Sequence, residues 1–399
     1  MQLYFFSDEY SKNFLPLTLT RPVFELRIGI LTIREKWEKA LNINFSAGIF
    51  AKHLHPLFNG REIDVEKDCI WINSRFLPNK NIIERINNLP SNSGLIQNGN
   101  VVAARLKADK SSFFLENNSF YKEDLSFKEL DCSVQSISYF WDLLALNGEE
   151  IASDIFYLET PSLSGSNIDY PNLIVTNSEQ IFISEEALIE AGCILIADKG
   201  PIYIGDNAII EAGSIIRGPV AICEGATVKM RARIYNSSTI GPVCKVGGEI
   251  SNSIFHSYSN KAHDGFTGSS LIGQWCNFGA DTNTSNLKNN YAEAKIFDWT
   301  SKVEYEKGFQ FFGTILGDHS KTAINTVLNT GTVCGVSTNI FSLGFPPRYI
   351  PSFQWMGQDK TVPYEFDKAI IAMKAMMARR KIDLSDDYLK MMETINSFN

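Results

Sequence analysis

Between Ile204 and Val246 every sixth residue is aliphatic: Ile204, Ile210, Ile216, Ile222, Val228, Ile234, Ile240 and Val246. Upstream, Ile183, Ile189 and Leu195 keep the same step until "ADKGP" adds three residues. Downstream it resumes at Ile272 and Phe278 and recurs at Leu316, Leu328, Cys334 and Ile340. A period of six matches neither a helix nor an alternating strand. It predicts a hexapeptide β-solenoid, in which short strands stack and each repeat sends one aliphatic side chain into a narrow shared core. Gly205, Gly241, Gly247 and Gly273 follow the aliphatic position, and Gly213 and Gly225 fall in the turns between.

The flanks have a different texture. "QLYFF" and "CIWIN" read as buried strands, "TIREKWEKAL" as a helix with Thr32 and Glu35 spaced as a capping box, and "SISYFWDLLALNGEEI" as another helix. Strands alternating with helices imply an α/β domain. The reading is therefore an α/β, Rossmann-like domain over 1–165, a parallel β-helix over 173–350 and a helical extension over 351–399, with "ETPSLSGSNIDYPN" (Glu159–Asn172) as linker. In the extension, "PYEFDKAIIAMKAMMARR" places Phe366, Ile370, Met373 and Met377 on one helical face, with Arg379, Arg380 and Lys381 complementing the dipole at its end. Ser385, followed by Asp386 and Asp387, opens a second short helix. This extension is expected to cover the open end of the stacked strands.

Composition narrows the function classes. A net charge of −8 over 399 residues argues against general binding to nucleic acid or to anionic membranes, and leaves room for a local basic pocket. No stretch approaches the 18 apolar residues of a membrane span, and "MQLYFFSDEYSKN" lacks the basic start of a signal peptide. The seven cysteines are scattered without a CxxC pair and read as reduced, mostly buried thiols. A cytoplasmic protein is expected.

Solenoids are scaffolds, so chemistry is sought where the pattern breaks. The break falls at Ser251–Leu271, "SNSIFHSYSNKAHDGFTGSSL", followed by "IGQWCNFGADTNTSNLKNNY". It gathers His256, Lys261, His263, Asp264, Asn277, Asp281, Asn283 and Asn286, and long polar insertions commonly line a site or a subunit contact. His263, between Lys261 and Asp264, is suited to take a proton from an amine nucleophile. Turn amides and asparagines nearby would stabilise a developing oxyanion. A structural histidine bonded to the next coil is the plainer alternative.

Hexapeptide repeats interrupted by "NKAHDGFTGSSLIGQWCNFGADTNTSNL" resemble the acetyltransferase half of the bifunctional N-acetylglucosamine-1-phosphate uridyltransferase / glucosamine-1-phosphate N-acetyltransferase family. That family carries the pattern H-x-T-Y-x-G-D-x-x-I-G-x-x-x-N-x-G-A-G-T-x-x-x-N-Y. His263 falls on its catalytic base, Gly268 on its glycine, Asn277 on a ligand-site asparagine, "FGADT" on "IGAGT" and Asn286 on a sugar-binding asparagine. Phe266 and Leu287 replace its two tyrosines, and Ser251 stands where a lysine is usual; Arg231 and Arg233 are the candidates for its phosphate-binding arginine. The resemblance implies a left-handed β-helix homotrimer, with acetyl-CoA bound between coils of adjacent subunits and an amino-sugar 1-phosphate as acceptor.

The resemblance extends to the N-terminus. Phe14–Pro22, containing "LPLTLTRP", is similar to the second half of the nucleotidyltransferase loop G-x-G-T-R-L-x-P-L-T-x-x-x-P-K, and "FWDLLALN" (Phe140–Asn147) to a segment preceding the solenoid in those proteins. The loop's glycines are gone, its lysine is Val23, its arginine position falls near Asn13, and "INSR" (Ile72–Arg75) replaces the usual metal-binding G-D pair. A rebuilt site would use Arg21, Arg27 and Lys36 for the phosphates of UTP or dTTP, and Asp8 for Mg2+. Two transfers are thus expected: CoA-dependent N-acetylation and nucleotidyl transfer to a sugar phosphate. The alternatives are an acetyltransferase with a non-catalytic nucleotide-binding domain, a solenoid zinc hydratase using His256, His263 and His319, and a non-enzymatic trimeric scaffold.

Overall fold

The computed structural model describes residues 1–59, 68–122, 125–165, 170, 172–306, 308–358 and 360–398. It forms two compact units, one of Met1–Phe14, Thr20–Leu26 and Leu31–Phe140, the other of Leu15–Leu19, Arg27–Ile30 and Trp141–Asn399.

The first unit is built on a six-stranded mixed sheet in the order Phe45–Ile49, Gln2–Phe6, Cys69–Asn73, Asn100–Leu106, Ser93–Gln97, Ser126–Glu129. The two expected strands, Gln2–Phe6 and Cys69–Asn73, run parallel side by side near its middle. Their aromatic content explains the placement: Tyr4 stacks on Trp71 at 5.0 Å between ring centroids, and both rings are fully buried. Helix Ile33–Leu41 starts as expected, with the Thr32 side chain accepting from the Glu35 N–H while the Glu35 carboxylate accepts from the Thr32 N–H. Trp37 anchors that helix by donating its indole N–H to the Phe76 carbonyl at 2.8 Å.

The second unit is the solenoid. Its coils contribute strands to parallel ladders on separate faces, the longest of nine strands from Ile181–Ile183 to Tyr349–Ile350. The sixth-residue series lies in one continuous core: Ile204, Ile210, Ile216, Ile222, Val228, Ile234, Ile240 and Val246 are all fully buried, as are Leu316, Leu328, Cys334 and Ile340. The register reset has a different origin from the expected insertion. Ser251–Leu271 continues the coils without interruption, as strands Glu249–Ser251, Ile254–Ser257, Asn260–Lys261 and Phe266–Gly268. These coils are shorter than their neighbours: Val220 stacks on Ser238, but Thr239 stacks on Ile254. Buried hydroxyls close the tightened corners, Ser253 donating to the Ser251 carbonyl at 2.9 Å and Ser270 to that of Gly268 at 2.8 Å. The true excursion comes later, between Leu271 and its partner Ile315, and carries the antiparallel pair Lys295–Phe297 and Glu304–Glu306.

"FWDLLALN" gains a physical reason here. Asn147, fully buried on helix Phe140–Asp154, accepts from the Gly29 N–H at 2.7 Å and donates to the Ser237 carbonyl at 2.6 Å, tying Arg27–Ile30 to the solenoid. Of the expected linker, residues 166–169 and 171 lie outside the described residues; Ser162 bridges to Phe182 of the first coils. The extension forms helices Phe366–Ala378 and Asp386–Asn396, the second capped by Ser385 as expected. The extension reaches both the end and the flank of the coils. Strand Thr361–Pro363 edges the last sheet, while the helices reach the flank, Arg380 bonding Asn260 at 2.9 Å and the Tyr388 hydroxyl bonding His319 Nε2 at 2.8 Å. Among the described residues no helix is long and apolar enough to cross a membrane.

Candidate functional site

On one face of the solenoid three strands stack in register: Arg233 beside Glu249 beside Phe266, and Tyr235 beside Ser251 beside Gly268. Strands lie about 4.8 Å apart, so Arg233 and Phe266 are separated by about 10 Å. Strand alternation turns Ile234, Ile250 and Thr267 inward and leaves Arg233, Glu249 and Phe266 on the outer face. Arg233 pairs with Glu249 at 3.1 Å, and the Tyr235 hydroxyl donates to the same carboxylate at 2.5 Å. Partial burial and the bond to this carboxylate push the Tyr235 phenol up to about 12. Arg231 stands apart, in a turn with φ of 63°.

Asn286 and Gly268 meet on the same face. A Cβ on Gly268 would stand 2.4 Å from the Phe266 ring and 2.6 Å from the Asn286 amide nitrogen, so glycine is what lets those side chains approach. Asn286 donates to the Ser269 hydroxyl at 3.4 Å. Asn283 works on the backbone: its carbonyl oxygen accepts from the Phe266 N–H at 2.8 Å, and its amide donates to the Asp281 carbonyl at 2.9 Å.

His263 lies at the corner leading from strand Asn260–Lys261 to this face. It is exposed, and among the described residues its imidazole has no hydrogen-bond partner. What holds the corner is Lys261. Its ammonium, 1% exposed, donates to the carbonyls of His263 at 2.8 Å, Gly247 at 3.1 Å and Asp264 at 3.2 Å, which occupies all three of its donors. Burial brings this lysine down to about 8 against the pull of Asp264 and Asp281. Gly265, at φ 113°, completes the turn, since a Cβ there would stand 2.3 Å from the Thr282 carbonyl oxygen.

Asn277 is on the adjoining face, bridged to Asn260 on one side and Lys321 on the other, and lines a pocket of about 190 Å³ with Lys245, Asn260, Tyr258 and Arg380. His263 thus stands between two faces, one carrying Arg233, Phe266 and Asn286, the other Asn277. The zinc reading finds no support in the geometry. His256 is buried beside Gln274, His319 is buried against Tyr388 and His263 is exposed. No group of three or more His, Cys, Asp or Glu side chains gathers among the described residues.

The first unit has a pocket of about 380 Å³, lined by Asp8, Glu9, Asn73, Asn100 and Asn118, with Lys122 its one cation among the described residues. Asp8 is bound to Arg75 Nε at 2.5 Å and to the Asn73 amide at 2.9 Å, and its other oxygen accepts from the Tyr10 N–H at 3.1 Å. Arg75 also donates to Asn100 at 2.9 Å and lies over the Tyr10 ring at 4.3 Å. Arg21 and Lys36 are 2% and 1% exposed and do not line this pocket. Arg27 belongs to the solenoid unit, donating to the His256 carbonyl at 3.3 Å and to that of Ile30. Sequence reasoning missed Arg75 and Glu249 as participants; "INSR" in place of an acidic pair was the available signal for the first, and an acidic residue in register with Arg233 for the second.

Residues 3–162 match the family model described as sugar nucleotidyl transferase. A stretch of 123 residues, 31% of this chain, is 31% identical to the bifunctional protein GlmU of Methanococcus vannielii and covers 27% of it. A stretch of 118 residues, 30% of this chain, is 33% identical to the bifunctional protein GlmU of Methanocaldococcus jannaschii and covers 26% of it. These matches span roughly a quarter of each curated relative. Among solved structures, the UDP-N-acetylglucosamine acyltransferase from Campylobacter jejuni aligns with 56% of this chain and 94% of its own length, at 13% identity and a TM-score of 0.24.

Proposed function

From a chain that is GlmU-like, we propose a transferase of nucleotide-sugar synthesis that acylates an amino-sugar 1-phosphate from acetyl-CoA and transfers a nucleotidyl group to the sugar phosphate. The observation that carries the acyl-transfer half is the corner that exposes an unbonded His263 imidazole beside the ladder of Arg233, Phe266 and Asn286.

In this reading Arg233 meets the sugar phosphate, exchanging Glu249 for it, because guanidinium matches phosphate oxygens in a fixed fork. Asn277 and Asn286 orient the sugar and the thioester from the two faces. His263 accepts a proton from the amino group as the amine nitrogen attacks the thioester carbonyl; the C–S bond breaks, and the departing thiolate takes that proton back from the imidazolium to leave as the thiol. Lys261 and Asn283 hold the corner and the Phe266 backbone in place, while Arg231 supplements the positive field. A homotrimer closes the open side of His263 with a neighbouring copy, and a cytoplasmic setting supplies the substrates.

For the nucleotidyl half, the phosphates of UTP or dTTP would meet Lys122 in the first unit's pocket, with Arg21 and Lys36 of that unit contributing only if they become accessible, while Arg27 serves the solenoid unit. The Mg2+ such transfers ordinarily use does not fit the residues as arranged. Both oxygens of Asp8 are taken, and no acidic cluster gathers among the described residues. This same engagement of Asp8 by Arg75 favours a second reading, in which the first unit binds a nucleotide without turning it over.

One assay separates the readings: glucosamine 1-phosphate, acetyl-CoA and UTP, with free thiol and pyrophosphate followed independently. Release of both supports two activities, and thiol without pyrophosphate supports the second reading. No thiol with any amino-sugar phosphate rejects the proposal.

A further inference from the structure

The pocket on the Asn277 face has a chemistry that the acceptor site does not account for. Lys245, Asn260 and Asn277 stand in register on three successive coils, and Arg379 and Arg380 arrive from the end of helix Phe366–Ala378. Arg380 is fixed by its bond to Asn260 at 2.9 Å. None of Lys245, Arg379 and Arg380 forms an ion pair among the described residues, and no carboxylate lines the pocket. One cation at a helix C-terminus answers the dipole. Three cations gathered in a cavity without a counter-charge repel one another, an arrangement that an anion would relieve. Lys245 registers this strain: burial and the charges of Arg380, Lys229 and Arg379 hold it below the ordinary lysine range, against Glu211 alone.

We propose that this pocket binds a phosphoryl group, with Arg379 and Lys245 as its mobile donors, Arg380 as its fixed one, and the Asn260 and Asn277 amides completing the cradle. The inference rests on the transferase reading only for the origin of the ligand. Both substrates of that reading carry phosphate, and the pocket adjoins the coil that presents His263. Because Arg379 and Arg380 come from the helical extension, that extension is then part of the binding machinery.

Titration calorimetry on the full chain tests this, using inorganic pyrophosphate, CoA, 3′-dephospho-CoA and glucosamine 1-phosphate as separate probes. The variants are Arg379→Gln, Lys245→Gln, their combination, and Arg379→Lys. Loss of each charge-assisted contact should weaken pyrophosphate by about tenfold, while Arg379→Lys stays within about threefold of wild type. A parallel loss for CoA alone assigns the pocket to the donor; a loss for the sugar phosphate alone assigns it to the acceptor. Arg380 is left intact so that the bond to Asn260 persists, and thermal melts confirm folding. Wild-type affinity for every probe in the double variant overturns the proposal, as does failure of the wild type to bind any of them. If pyrophosphate binding falls in the variants yet no thiol is ever released, the transferase reading fails and the phosphoryl pocket stands.

Discussion

Replacing Lys261 with methionine keeps the apolar stem and removes the ammonium that ties three carbonyls of the His263 corner. Burial lowers this lysine from 10.5 to about 8, which sets the cost of keeping it charged at about 3 kcal/mol. Against that stand three hydrogen bonds from a charged donor, each worth about 1.5–3 kcal/mol. The balance favours the native contacts, so Lys261→Met should lose about 2–5 kcal/mol, read as a lower urea midpoint at unchanged slope. Because the lysine holds backbone rather than substrate, kcat for thiol release should fall while KM changes little. The pH dependence gives an independent check. A base depressed when folded binds fewer protons than in the unfolded chain between pH 8 and 10.5, so the wild type should gain stability relative to Lys261→Met as pH rises through that window. A variant as stable as wild type, or one with raised KM and intact stability, would refute the positioning role.

Two further substitutions probe the corner and the first unit. Gly265→Ala places a Cβ 2.3 Å from the Thr282 carbonyl oxygen at a φ of 113°, and should cost about 1–3 kcal/mol in backbone strain, with a lowered melting temperature and reduced thiol release. Arg75→Ala strips Asp8 and Asn100 of a buried cationic partner that is 4% exposed. It should destabilise the first unit by about 2–3 kcal/mol in urea unfolding. A neutral result there would show that the Asp8 contact contributes nothing to the fold.

Most of the scaffold was legible because the solenoid core admits one kind of residue at one interval. Ile216, Ile234 and Val246 are buried for the reason their spacing suggested. The capping box at Thr32 and the cap at Ser385 were legible because they depend only on neighbours in sequence. The break at Ser251–Leu271 was misread because coil shortening and insertion leave the same mark on a periodic count. Distinguishing them required seeing Ser253 and Ser270 bonded into the corners. Lys261 looked like a ligand residue because its three acceptors are backbone carbonyls, invisible in a string of side chains. Arg75 and Glu249 were hidden because their partners, Asp8 and Arg233, reach them only through strand register or across the sheet.

In the proposed acyl transfer His263 removes the amine proton. Thiol release from acetyl-CoA with glucosamine 1-phosphate should fall by about 100-fold or more in His263→Ala while calorimetric binding of CoA is retained. Wild-type thiol release by His263→Ala would contradict the account.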